Sequence, residues 1–115
     1  GKKFNILSGD DSLTIPFMSV GADGVISVAS NIIPKEVVKM VKAFLNGDSK
    51  TATKLHLKYY PLFKDLFIET NPIPIKAAMA MEGKIKEVYR LPLTSMSPKN
   101  REILKATLLN CGVLK

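Results

Sequence analysis

Two short apolar strings that end in small or polar residues constrain this chain most. Phe4-Asn5-Ile6-Leu7 runs into Ser8-Gly9-Asp10-Asp11, and Gly24-Val25-Ile26-Ser27-Val28 runs into Ala29-Ser30-Asn31. Each reads as a buried strand, because a strand covered on both faces is mostly apolar. Between them, residues 13–20 read as a helix that Asp10, Asp11 or Ser12 caps and that Gly21 closes in a left-handed turn. Pro16 falls early enough in that helix for its missing amide donor to be tolerable. Strand, helix and strand within about thirty residues is the length of one parallel βαβ crossover. Parallel α/β proteins place their chemistry at the carboxyl ends of the strands.

The remainder reads as helices. Pro34 opens a helix over residues 35–45, with Val37, Val38, Val41, Phe44 and Leu45 as its apolar stripe. Asn46-Gly47-Asp48 is a stop followed by a new cap. A longer helix is expected over residues 49–67, with Ala52, Leu55, Tyr59, Leu62, Phe63 and Leu66 in helical period and a kink or break at Pro61. Glu69-Thr70-Asn71-Pro72-Ile73-Pro74 is expected to be irregular, since residues before proline are pushed towards extended conformations. A helix over residues 75–81 should end at Gly83, and Leu91-Pro92-Leu93-Thr94 should be an extended connection. Ser97-Pro98 with Glu102 opens a last helix to about residue 110, which Gly112 terminates.

The charge and the single cysteine narrow the function classes. The net charge is +7, and a basic balance can signal nucleic acid. Here the lysines are dispersed at helical spacing, no basic run exceeds Lys2-Lys3, and arginine is scarce, which argues against a phosphate-reading surface. No apolar run approaches the ~20 residues of a membrane span, so neither nucleic acid nor a membrane is expected as partner. Cys111 is the one cysteine and cannot form an internal disulfide, which fits a reducing, cytoplasmic setting. His56 lies mid-helix without a partner acid or cysteine at ligand spacing, so a surface or boundary role is expected and no metal site. Met79 and Met81 among Ala77, Ala78 and Ala80 suggest a tightly packed helix.

The same strings carry a resemblance. LSGDDSLTIPFMSVGADGVISVASN, then FIETNPIPIK, then LPLTSMSPKNREILKATLLNCGVL resemble, in this order, the C-terminal part of the dihydrodipicolinate synthase family. NPIPIK directly after FIET is the most discriminating string. The family consists of class I pyruvate aldolases with an eight-stranded β/α barrel and a C-terminal helical extension. The resemblance therefore implies an α/β fold: the last two strands of a (β/α)8 TIM barrel with their connecting helix in residues 1–33, then the final barrel helix and the extension in residues 34–115. It also implies substrate-binding roles for Gly9 and Asp10 at the pocket mouth, for the backbone at Ile26 beside pyruvate, and for Asn71 near the carboxylate of the second substrate. On the residues alone, Gly9-Asp10 is a strand-to-helix turn with an N-cap, Ile26 is core, and Asn71 before proline is a turn residue. Glu69 reads as solvated or paired with a lysine.

In the family, the lysine that forms the Schiff base, the tyrosine and threonine relay and the arginine holding the second substrate all lie upstream of Gly1. The resemblance thus implies no catalytic residue in this chain, and Lys76 at the head of a helix is a poor substitute. It implies condensation of pyruvate with aspartate semialdehyde, without a cofactor, to give 4-hydroxy-tetrahydrodipicolinate for lysine biosynthesis. It also implies a homotetrameric, cytoplasmic lyase of which these 115 residues are an inactive fragment that self-associates or pairs with the missing N-terminal half. A rival within the superfamily is an aldolase like N-acetylneuraminate lyase; a rival outside it is a non-catalytic helical interaction module.

Overall fold

The computed structural model describes residues 4–115, in two compact units, one up to Tyr60 and the other from Pro61 to Lys115. In the first unit, β1 (Leu7–Ser8) and β2 (Gly24–Val25) pair in parallel, Leu7 opposite Gly24 and Ser8 opposite Val25. Backbone hydrogen bonds extend the ladder at both ends, Asp23 N to Ile6 O at 2.7 Å and Ile26 N to Ser8 O at 2.9 Å. A 3₁₀ turn (Asp11–Leu13) leads into α1 (Thr14–Ser19), and Gly21 follows at φ 107°, the left-handed conformation the sequence required of it. The crossover is therefore the parallel βαβ unit read from the sequence, with shorter strands.

Burial departs from that reading. Phe4, Ile6 and Leu7 are exposed, and Ile26 exposes 71% of its surface. Among the described residues the sheet has two strands, and α1 packs on β2 and on the helix that follows. The core of this unit lies instead under the turns, in Met18, Ala29, Ile32 and Ile33, and on one line of α2 (Pro34–Leu45), in Val37 and Met40. Val38 and Leu45, expected in the apolar stripe, are more than half exposed and flank an open apolar cleft of about 450 Å³ between β2 and α2, which Leu7, Val25, Val37 and Val41 also line. Gly47 at φ 81° ends α2, and the Asp48 carboxylate accepts from Thr51 N at 3.0 Å to start α3 (Ser49–Asp65); hydrogen bonding from the Thr51 side chain first, and then from its amide, holds the Asp48 pKa below the ordinary aspartate value.

The helix α3 runs through Pro61 without a break, ending two residues earlier than the periodicity suggested. Its apolar period is as read: Ala52, Leu55, Tyr59, Leu62, Phe63 and Leu66 are all buried. His56 is half-buried, which lowers its pKa, and its ring lies 5.7 Å from that of Tyr60.

In the second unit α4 (Ile73–Met81) packs on α5 (Pro98–Asn110). The helix α4 starts two residues before the expected point, with Ile73 helical despite the proline after it; Pro74 sits in the first turn, where a missing N–H costs little. Leu91 and Pro92 form a turn, closed by Leu93 N to Arg90 O at 2.9 Å, ahead of the irregular residues 93–97. Buried Thr107 on α5 donates to buried Asp65 at 2.6 Å, so the carboxylate at the end of α3 is satisfied inside the unit. Glu87 accepts from Arg101 at 2.6 Å and from the Tyr89 hydroxyl at 2.9 Å. The Arg101 hydrogen bond holds the Glu87 carboxyl below its usual range, while burial and then Glu87 push the Tyr89 phenol up to about 12.

Candidate functional site

The carboxyl ends of β1 and β2 come together through one side chain. Asp11 is 1% exposed, and its carboxylate accepts from the Ser27 hydroxyl and from the backbone amides of Val28 and Ala29, each at 3.0 Å. Those amides open the 3₁₀ turn Ala29–Asn31 after β2, which offers them no earlier carbonyl. Ser27 Oγ in turn accepts from Ser30 N at 2.9 Å. One carboxylate from the first strand end thus organises the second.

The β1 end is locked separately. Ser8 is buried and its hydroxyl donates to Asp10 O at 2.7 Å while accepting from Asp10 N at 3.1 Å. The Asp10 carboxylate accepts from Ser12 N at 2.9 Å and Ser12 Oγ at 2.8 Å, the N-cap role open to it in the sequence. Gly9, between them, is exposed, has nothing within 4 Å of where a Cβ would stand, and has no positive φ.

Three of the residues singled out in the sequence therefore share one strand end: Gly9 and Asp10 follow β1, and Ile26 is held to β1 through its amide on Ser8 O. The Ile26 side chain is exposed, not core, because no described element of the unit covers that face. Asn71 belongs to the second unit, exposed in the turn before α4, which Ile73 N closes on Thr70 O at 2.9 Å. Glu69 is partly exposed, and its partners come from the start of the last helix and not from a lysine. It accepts from Ser97 N at 3.0 Å, Ser97 Oγ at 2.9 Å and Asn100 Nδ2 at 2.9 Å, and these bonds, Asn100's first, lower its pKa. The long-range bonds of Asp11, Ser27 and Glu69 are what sequence reasoning missed. The Asp10-Asp11 doublet beside a strand end was the available signal for the first of them. Among the described residues no three acids, histidines or cysteines are grouped to hold a metal ion, and no helix is long and apolar enough to cross a membrane.

A parallel βαβ crossover with its polar residues gathered at the strand carboxyl ends, followed by helices, defines an α/β protein of the kind that works at the mouth of a sheet or barrel. Residues 1–110 match the Dihydrodipicolinate synthetase family, and the chain belongs to it. It is similar to 4-hydroxy-tetrahydrodipicolinate synthase of Aquifex aeolicus, 54% identical over 109 residues, covering 91% of this chain and 37% of that protein. The synthase of Koribacter versatilis is 52% identical over 112 residues, covering 97% and 37%. The crystal structure of the Aquifex aeolicus dihydrodipicolinate synthase superposes with a TM-score of 0.95 at 50% identity, over 98% of this chain and 39% of that one. The chain thus spans well under half the length of the relatives it matches, and its fold is that of the C-terminal part of a (β/α)8-barrel synthase.

The Asp11 carboxylate generates a prediction. Asp11→Ala leaves the buried Ala29 amide and the part-buried Val28 amide without their acceptor, at about 1–3 kcal/mol for the buried one and less for the other. Hydrogen exchange at Val28 and Ala29 should accelerate and the urea midpoint should fall. Unchanged protection at both amides would show that the carboxylate does not hold the second strand end.

Proposed function

We propose that this chain is the C-terminal part of a lyase that condenses pyruvate with aspartate semialdehyde through a Schiff base, giving 4-hydroxy-tetrahydrodipicolinate for lysine biosynthesis. The observation that carries the reading is the convergence of Gly9, Asp10 and Ile26 at one strand end in a chain of this family. Residues 1–33 supply the last two barrel strands and one margin of the pocket. There an exposed glycine leaves main chain accessible to a small acid, and the backbone at Ile26 borders pyruvate. Asn71 meets the carboxylate end of the second substrate. The lysine that forms the imine comes from outside this chain, and no cofactor takes part. The whole enzyme works as a cytoplasmic homotetramer.

The chain by itself should form no imine. Borohydride reduction in the presence of pyruvate, followed by intact-mass measurement, should leave its mass unchanged, whereas the full-length enzyme should gain one reduced pyruvyl adduct. An adduct on any lysine of residues 1–115 would overturn the assignment.

In the full-length enzyme, Asn71→Ala removes a hydrogen bond to a charged group, worth roughly 1.5–3 kcal/mol. The Michaelis constant for aspartate semialdehyde should rise and that for pyruvate should hold. A rise confined to pyruvate would place Asn71 at the other substrate.

Phe4, Ile6, Leu7 and Ile26 are exposed apolar residues on or beside a two-stranded sheet, and such edges recruit further chain. The isolated chain should therefore self-associate, or pair with the N-terminal half when the two are co-expressed. Sedimentation across a concentration series checks this, and a monomer at every concentration, with the N-terminal half failing to bind, would refute it.

A further inference from the structure

We infer that Glu69 is the positioning residue for Asn71, clamping the substrate-facing turn to the N-terminus of α5. The inference rests on the reading of Asn71 as a contact to the second substrate. Two groups of bonds bracket Asn71. On its N-terminal side, Glu69 Oε1 takes three donors from α5: the Ser97 amide and hydroxyl and the Asn100 side-chain amide, at 2.9–3.0 Å. On its C-terminal side, Ile73 N closes the turn on Thr70 O at 2.9 Å, and buried Ile73 and Pro74 anchor the start of α4 in the core. Asn71 itself is exposed at the apex, so its place is set by what lies on either side.

The Glu69 bonds do more than cap a helix. Ser97 already serves as the N-cap of α5 through its own hydroxyl, which accepts from Asn100 N at 3.4 Å. Glu69 takes up the Ser97 amide, the group that a glutamate at the third helical position satisfies in a capping box. Here that position is Asn100, and the carboxylate arrives from twenty-eight residues away. The cap is thereby converted into a tie between a loop and a helix. Charge supports it: hydrogen bonds from Asn100 and Ser97 favour the ionised carboxylate and lower its pKa, and the macrodipole at the start of α5 favours an anion there. Substrate-facing polar groups need such support, because a side chain on an irregular segment keeps its place only when neighbouring bonds fix the backbone.

The test uses the full-length synthase carrying this sequence, with steady-state kinetics for both substrates. Glu69→Ala should raise the Michaelis constant for aspartate semialdehyde roughly tenfold, the loss of about one good hydrogen bond, with kcat and the pyruvate constant within twofold. Asn100→Ala, approaching the same clamp from α5, should move the same constant in the same direction by a smaller factor. Glu69→Gln, which keeps an oxygen acceptor, should restore most of the affinity. The Glu69→Ala/Asn71→Ala double variant should be no worse than Asn71→Ala alone, since Glu69 acts through Asn71. Asn71→Ala raising the constant while Glu69→Ala and Asn100→Ala leave it within twofold would overturn the clamp and leave the Asn71 reading standing. Asn71→Ala without effect would remove both. A parallel fall in kcat and rise in both constants for Glu69→Ala, not rescued by Gln, would show a general structural role and overturn the inference.

Discussion

The first unit depends on a buried carboxylate that arrives from the first strand end and is consumed entirely by the second. Burying an aspartate is costly unless its oxygens are matched by donors. Asp11 meets that condition with the Ser27 hydroxyl and two consecutive main-chain amides. Those amides would otherwise be orphans at the start of a 3₁₀ turn, so each side of the arrangement satisfies the other. The result is a fixed distance between the residues following β1 and those following β2, with only four strand residues in the pair. A two-stranded sheet of this length has little stability of its own, which makes the side-chain tie the more important.

The second unit uses the same device at another place. Glu69 accepts from the start of α5, and Asp65 accepts from Thr107 further along the same helix. Two acids from the end of α3 and the segment after it are thus bound along α5. The Glu87, Tyr89 and Arg101 cluster adds a third link between the irregular stretch before α5 and the helix itself. The irregular segments of this unit are tied to α5 by carboxylates meeting hydroxyl, amide and guanidinium donors, beside the backbone bonds that close their turns.

Much of this was legible in the sequence. The crossover, the stops at Gly21, Gly47, Gly83 and Gly112, and the caps at Asp48 and Ser97 are local events, and all four glycines adopt the left-handed conformation. The buried row of α3 followed from period alone. What the sequence withheld is long-range. Nothing local distinguishes Asp10, a cap, from Asp11, a bridge across seventeen and eighteen positions, and Glu69 finds its donors twenty-eight and thirty-one residues on. Strand burial was misjudged for a similar reason: an apolar string records that a face is suited to cover, not that the cover lies within the same stretch of chain. Of the kink or break expected at Pro61, the break does not occur: one missing amide donor did not outweigh the apolar row, whose residues are buried on both sides of it.

Gly9 is exposed, adopts no left-handed conformation, and would bring an added methyl group into empty space. None of the usual folding reasons for a glycine applies to it, in contrast to Gly21, whose backbone conformation disfavours any side chain. Position 9 is thus a place where the fold leaves room for a side chain that it does not itself need.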